Sequence, residues 1–236
     1  MYELTTLLEA TLGNLARKQK SIVRLFPTFP DRVKNVGLRG GVRLDSWDDD
    51  TWKFKVHSGT ETALWYDVVF QFLNVEELLD ELVANTRLWN KGRTKINLNK
   101  LGRAFLNKVD VKIDCSCPAQ LYWGGAYIVS LPKYDAKHGE PETRSPRVRN
   151  PKKYGAHCKH LQAVMKVLPF HVNQIAKWIK QYHMDIIDAA EMTVRKEMTL
   201  KKERQADARQ ARKDARRAEK QGLQKAEVEE PTVEEE

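Results

Sequence analysis

Two short stretches, IDCSCPAQLYWGG at residues 113–125 and YGAHCKHLQAVMKVL at residues 154–168, contain all three cysteines of this 236-residue chain. The first stretch has the spacing Cys-x-Cys, formed by Cys115 and Cys117, and the second has the spacing Cys-x-His, formed by Cys158 and His160. Thiolate and imidazole groups are the ligands of structural zinc sites, which use four of them in a tetrahedron. The two stretches therefore raise the hypothesis of a single metal site built from both.

The secondary structure predicted around these motifs fits that hypothesis. Residues 109–115, VDVKIDC, alternate apolar and polar side chains, which predicts a half-buried strand that ends at Cys115. Residues two positions apart within a helix lie about 200° apart around its axis. Cys158 and His160 can therefore share an ion only if Cys158 precedes the helix. The apolar run after Cys158 indicates that a helix begins there. His157 and His160 both remain candidates for the fourth ligand.

Outside these motifs the chain predicts an α+β fold, a small antiparallel sheet with helices. Residues 51–72, TWKFKVHSGTETALWYDVVFQF, are typical of a β-hairpin with its turn at SGTE. Helices are predicted over residues 75–83, with Asn74 as the cap, and over residues 97–109. DSWDDDT, residues 45–51, is interpreted as a solvated turn between strands rather than as a carboxylate site.

The order CSC then CKH, on a strand followed later by a helix, resembles the SWIM-type zinc finger, whose pattern is CxC, a variable gap and CxH. The resemblance covers roughly residues 36–168, because the hairpin upstream also fits the family. It implies a structural Zn²⁺ with Cys115, Cys117, Cys158 and His160 as ligands, and it implies binding to DNA or protein. The long gap also looks similar to that of uncharacterised proteins of large tailed bacteriophages.

Composition changes along the chain suggest four segments. Residues 1–30 form an N-terminal helical segment, with leucines at helical spacing, and residues 31–170 form the SWIM-like zinc-binding α+β domain. Residues 171–225 are predicted as a long C-terminal helix that is basic in its second half, since residues 195–225 contain twelve basic and five acidic residues, a net charge of +7. Residues 226–236 are predicted to be a disordered acidic tail.

A second candidate site lies in the long loop between the motifs. This loop is rich in cationic side chains and has aromatic residues at its start, and the net charge of the chain is +9. Cations that neutralise phosphate, beside rings that stack on bases, are typical of nucleic-acid surfaces. The alternative is that Tyr122 and Trp123 cover the metal site while the arginines are only solvated. The candidate nucleic-acid-binding residues are Arg144, Arg147, Arg149, Lys152, Lys153 and Trp123.

Several classes of protein are disfavoured. No N-terminal apolar segment and no bilayer-length apolar run is present, which predicts a protein of the cytoplasm, or of a virion if a phage encodes it. Three cysteines at these spacings make a poor disulfide framework and favour a reducing compartment. We do not expect an enzyme, because four protein ligands leave no position for a metal-bound water. An activated Cys158 nucleophile is the competing interpretation, since the flanking cations lower thiol pKa.

The sequence thus predicts a zinc-binding module that binds nucleic acid, a nucleoprotein or another protein partner. The alternative is a phage structural or assembly protein, in which zinc only shapes the fold and the C-terminal helix makes protein–protein contacts. Salt-dependent DNA binding would distinguish the two.

Overall fold

The structure is a computed structural model that describes residues 11–24, 26–38, 41–61, 63–85, 88–89, 94–122, 136, 147–148, 150–152, 154–155 and 157–228, with side chains up to residue 218 at the C-terminal end. The chain divides into two compact units, Met1–Asp188 and Ala189–Glu236. The first unit contains the sheet, most of the helices and both cysteine motifs. The second unit is helical over its described residues.

A four-stranded antiparallel sheet with strand order β1-β2-β3-β4 forms the centre of the first unit. The hairpin predicted from residues 51–72 is confirmed as β2 and β3, with Trp52 opposite Phe70. Strand β4, which leads to the first cysteine motif, pairs with β3 so that Cys115 lies opposite Val68. The strands are β1 (Val42–Trp47), β2 (Thr51–His57), β3 (Trp65–Leu73) and β4 (Asp110–Cys115).

Helices surround this sheet. Helix α6 contacts all four strands and packs against α2, while α4 packs against α7. The helices are α1 (Leu12–Gln19), α2 (Phe29–Leu38), α3 (Val75–Val83), α4 (Leu98–Lys108), α5 (Pro118–Tyr122), α6 (Lys159–Val167), α7 (Val172–Tyr182) and α8 (Met184–Val228), with 3₁₀ turns at Lys20–Arg24 and Leu168–His171. The α+β class predicted from the sequence is confirmed.

The sheet buries one face and solvates the other, because side chains alternate along each strand. Trp52, Phe54 and Val56 of β2 are fully buried, whereas Lys55 on the opposite face pairs with Asp67 of β3 at 2.5 Å. The buried face continues along β3 and β4 as far as the cysteine motif. The core and the candidate metal site therefore share one surface of the sheet.

An aromatic cluster attaches α7 to the buried face. Trp178 is fully buried, and its ring centroid lies 6.3 Å from that of Trp52, 5.5 Å from that of Phe72 and 5.4 Å from that of Phe105. Its indole N–H donates to the backbone carbonyl of Asp48 at 2.8 Å, so the buried donor is satisfied. Of the residues 45–51 predicted as a turn, only 48–50 lie between the strands, since residues 45–47 belong to β1 and Thr51 begins β2. Helix α7 is anchored on this shorter turn.

Three local features differ from the sequence predictions. Asn74 precedes α3, but its φ of 50° is left-handed and its side chain makes no capping bond, because a capping residue needs an extended backbone. Strand β1 was not predicted. The helix expected over residues 171–225 is instead two helices separated at His183, where φ is −132°. Residues 1–10 and 229–236, which hold most of the predicted N-terminal leucines and most of the predicted acidic tail, lie outside the described residues.

Candidate metal centre

The fold delivers the four predicted ligands from two directions. Cys115 is the last residue of β4, and Cys117 lies two residues later, directly before α5. Cys158 is the N-cap of α6, with an extended backbone at φ −77° and ψ 174°, and His160 lies in the first turn of that helix. The geometric condition on the Cys-x-His spacing is thus met: the cysteine stands outside the helix and the histidine inside it.

These residues form one buried cluster. Their ligating atoms all lie within 4.8 Å of one another, and none of the four residues exposes more than 4% of its surface. The Sγ atoms of Cys115 and Cys158 lie 3.8 Å and 3.9 Å from Nδ1 of His160. A tetrahedral zinc ion with bonds of about 2.0–2.1 Å to nitrogen and about 2.3 Å to sulfur separates a nitrogen from a sulfur by about 3.5–3.6 Å and two sulfurs by about 3.8 Å. The cluster therefore has the donors and the spacing to hold a metal ion.

The orientation of His160 is fixed from its other side. Its Nε2 lies 3.4 Å from the backbone carbonyl of Ser58, just after β2, so an N–H at Nε2 points at an acceptor. The ring of Tyr66 covers the imidazole at a centroid distance of 4.6 Å and an interplanar angle of 36°. Metal-binding histidines usually donate their second ring N–H to such an oxygen, which fixes the tautomer. Nδ1 is then the free lone pair that faces the sulfurs.

The loop that carries the first two cysteines is held by hydrogen bonds to β3. Ser116, between the cysteines, donates its N–H to the carbonyl of Asp67 at 2.9 Å, and its hydroxyl accepts the N–H of Asp67 at the same distance. These two bonds continue the pairing of β3 and β4 past Cys115. Both sulfurs of the Cys-x-Cys motif are therefore positioned by the sheet.

Gln120 of α5 links the two motifs. Its Oε1 accepts the backbone N–H of Cys158 at 2.9 Å, and its own backbone N–H donates to the carbonyl of Cys117 at 3.1 Å. The residue is 2% exposed. The N–H of an N-cap residue has no partner within the helix, so this amide satisfies a donor that the helix itself cannot pair. Nothing in the sequence alone distinguishes Gln120 from a surface glutamine, because its partner lies 38 positions away.

His157, the alternative fourth ligand, lies outside the cluster. Its Nε2 is 3.0 Å from Oε1 of Gln162, and its backbone forms a reciprocal pair of hydrogen bonds with the side chain of Gln19 at 2.9 Å and 3.1 Å. Burial lowers the pKa of His157 to about 4, although the bond to Gln162 partly opposes this. His157 is thus a buried neutral residue that holds the motif against α1, and His160 is the histidine that joins the cysteines.

The electrostatics of the three thiols follow from their contact with one another. Hydrogen bonds from Cys115 and then Cys158 lower the pKa of Cys117, so the first negative charge resides there. The hydrogen bond to Cys117 raises the pKa of Cys115, and burial raises the pKa of Cys158. A second thiolate would lie beside an existing anion in a buried site. The cluster accommodates several thiolates only together with a cation.

Only two of the six predicted nucleic-acid-binding residues lie in the described part of the chain. Arg147 and Lys152 are exposed, and between them Asn150 is buried, where its side chain accepts the N–H and donates to the carbonyl of Tyr154. Tyr122 is 59% exposed. Four of the predicted residues lie outside the described part of the chain, namely Trp123, Arg144, Arg149 and Lys153.

Comparison of the chain with protein-family models, curated proteins and solved structures finds no match. In the part of the chain that the structure describes, no helix is both long enough and apolar enough to cross a bilayer.

Proposed function

We propose that the protein is a zinc-stabilised module of the SWIM type that binds nucleic acid. The observation that supports the zinc assignment best is the buried group of three sulfurs and one imidazole nitrogen within 4.8 Å of one another. Soft thiolate ligands select zinc over magnesium or calcium, which prefer oxygen. Four protein ligands close the coordination shell, as in structural sites, so the metal has a folding role and the module is not an enzyme.

The bound ion would connect segments that are distant in sequence. Cys115 and His160 are 45 positions apart, and much of the chain between them belongs to the long basic loop. Metal binding free energy becomes folding free energy where the unfolded chain has no preformed site. Zinc would hold the end of β4 and the start of α6 together and so fix both ends of the loop.

The nucleic-acid part of the proposal rests on charge. The net charge is +9, and the described part of the loop places Arg147 and Lys152 in solvent. Exposed cations that are free to meet phosphates account for most of non-specific nucleic-acid affinity. The SWIM-type resemblance adds DNA or protein as the partner class. A phage origin and a role in particle assembly stay predictions.

Metal content of the full chain, purified without an affinity tag and measured by mass spectrometry, tests the zinc assignment. We expect one zinc per chain in the wild type and a loss of zinc in the Cys115→Ser, Cys158→Ser double variant. His160→Gln and His157→Gln form a matched pair, and only the former should lose metal. A folded wild type without zinc, or equal losses in the two histidine variants, would contradict the proposed site.

Titration of the protein with a fluorescent DNA duplex at several salt concentrations tests whether nucleic acid is the partner. We expect the zinc-loaded wild type to bind with a steep salt dependence. The Arg147→Ala, Arg149→Ala double variant should bind more weakly and with a salt slope lower by about 2, because each lost phosphate contact removes about 0.9. Unchanged affinity and slope would show that the loop makes no phosphate contact.

A further inference from the structure

The charges of α8 are segregated around its axis. Successive residues of an α-helix are rotated by about 100° around its axis. With this rotation, seven exposed cationic residues between positions 201 and 217 project within an arc of about 160°. We call this the basic face: Lys201, Lys202, Arg209, Arg212, Lys213, Arg216 and Arg217. Glu203, Asp207 and Asp214 project within about 40° of one another, on the other side of the helix. Arg204 is the only cation of the described span 201–218 outside the basic face.

This arrangement is not the usual pattern of an isolated charged helix. Such helices are stabilised by opposite charges three or four positions apart, whereas Arg209, Arg212, Lys213, Arg216 and Arg217 place like charges at those spacings. Among the side chains that the structure describes, the seven cations have no ion-pair partner. Among the described side chains no ion pair offsets the repulsion along the basic face, which favours an anion from outside the helix as its partner.

The spacing of the charges favours a nucleic-acid backbone as that anion. The basic face extends over about 24 Å of helix axis, which gives about one positive charge per 3–4 Å. The phosphates of one duplex strand follow one another at about 3.4 Å along the axis. Four of the seven cations are arginines, whose planar guanidinium binds a phosphate through two parallel hydrogen bonds.

An anionic membrane fits the helix less well. Helices that lie in a bilayer surface insert a continuous face of large apolar side chains opposite the cations. Between positions 201 and 218, the remaining exposed positions of α8 are alanine, glutamine, acidic residues and Arg204. Over residues 201–218 the helix therefore has the charge for a polyanion and lacks the apolar face for a membrane.

We propose that the basic face of α8 is a binding surface for the phosphodiester backbone of nucleic acid, separate from the loop between the cysteine motifs. The proposal relies on the proposed function for the class of partner and locates its main phosphate contacts in the second unit of the chain. Phosphate binding by the basic face requires no metal ion bound to α8.

The test compares two triple variants of the full chain with the same change in net charge. Arg209→Gln, Arg212→Gln and Arg216→Gln remove the middle of the basic face, while Lys53→Gln, Lys100→Gln and Lys166→Gln remove three exposed lysines of the first unit. Glutamine has a helix propensity close to that of arginine, and all six positions are exposed, so both variants should fold. The probes are DNA and RNA duplexes of about 20 base pairs, which are longer than the basic face.

We expect the arginine variant to bind at least about tenfold more weakly in moderate salt. Its slope of log affinity against log salt concentration should be smaller in magnitude by about 2.7, because three phosphate contacts are lost. The lysine variant should remain close to the wild type in both affinity and slope. Preference for one duplex would identify DNA or RNA as the source of the phosphates. Equal affinity and slope in the two variants would overturn the proposal, as would a wild type that binds acidic protein but neither duplex. A zinc-free Cys158→Ser protein with full, arginine-dependent affinity would count against zinc-dependent binding and support the helix surface.

Discussion

The imidazole of His160 faces the cysteine sulfurs with Nδ1 and the backbone carbonyl of Ser58 with Nε2, at 3.4 Å. The two nitrogens thus differ in protonation, because a carbonyl oxygen accepts a hydrogen bond only from a protonated nitrogen. The tautomer with the proton on Nε2 leaves the lone pair of Nδ1 for a metal ion. Ser58 therefore selects which nitrogen binds, although its own side chain takes no part.

We expect metal ligation through Nδ1 of His160. Long-range nitrogen–proton NMR correlations on the zinc-loaded protein separate the two ring nitrogens by chemical shift, and they should show a protonated Nε2 and a metal-bound Nδ1. The His157→Gln variant serves as the assignment control, since the His160 signals should persist in it. A metal-bound Nε2 would contradict the orientation that Ser58 and Tyr66 impose.

Gln120 should matter more for stability than its polar side chain suggests. Gln120→Ala leaves the buried N–H of Cys158 without an acceptor, and an unsatisfied buried donor costs about 1–3 kcal/mol. We expect a loss of that size in the free energy of unfolding, measured by urea denaturation of the zinc-loaded protein. Gln205→Ala, at an exposed position of α8, is the matched control and should change the free energy by less than about 0.5 kcal/mol. Equal effects would show that the bond to Cys158 contributes nothing.

The convergence of the three cysteines and His160 on one cluster could be predicted from sequence because the information is local. Cys115 follows an alternating strand pattern, Cys158 precedes a periodic helix, and the spacing within each motif limits which residues can face one point. Gln120 and Ser58 could not be predicted, since their contacts span 38 and 102 positions and depend on how the chain packs. Local patterns thus identified the donors, whereas tertiary structure supplied what orients them.

The same distinction holds for the fold. The hairpin of β2 and β3 has clear alternation, but β1 contains Asp45 and Ser46 and is irregular in register between Leu44 and Ser46, so its pattern does not resemble a strand. The break at His183 was also missed, because the apolar period continues through it to Ile187. Helix propensity alone does not reveal where packing interrupts a helix.

Gly155 should be intolerant of substitution. Its φ is 72°, which side chains with a Cβ rarely adopt, and a Cβ there would lie 3.0 Å from both Oε1 of Gln19 and Cδ1 of Ile22. Gly155→Ala would push α1 away from the Cys-x-His motif, and we expect a loss of about 1–3 kcal/mol in the free energy of unfolding. Gly37→Ala is the matched control, because Gly37 is helical and a Cβ added there would meet no atom within 4 Å.

In the control, alanine should leave stability unchanged or raise it slightly, since alanine is the better helix former. Urea unfolding of both variants, with zinc content measured in parallel, makes the comparison. A Gly155→Ala protein as stable as Gly37→Ala would mean that the turn before the motif adapts without strain.

Trp178 is expected to be the residue through which α7 is held on the sheet. Trp178→Leu removes the ring contacts with Trp52, Phe72 and Phe105 and leaves the carbonyl of Asp48 without its indole donor. Large-to-small changes of buried aromatic residues cost about 3–5 kcal/mol, so a loss near this range is expected in thermal or urea unfolding. Phe170→Leu, at a side chain that is 83% exposed, should change stability by less than about 0.5 kcal/mol. Because the cluster lies on the same sheet face as the cysteines, a destabilised Trp178→Leu protein that still binds one zinc would show that the metal site forms without full packing of α7.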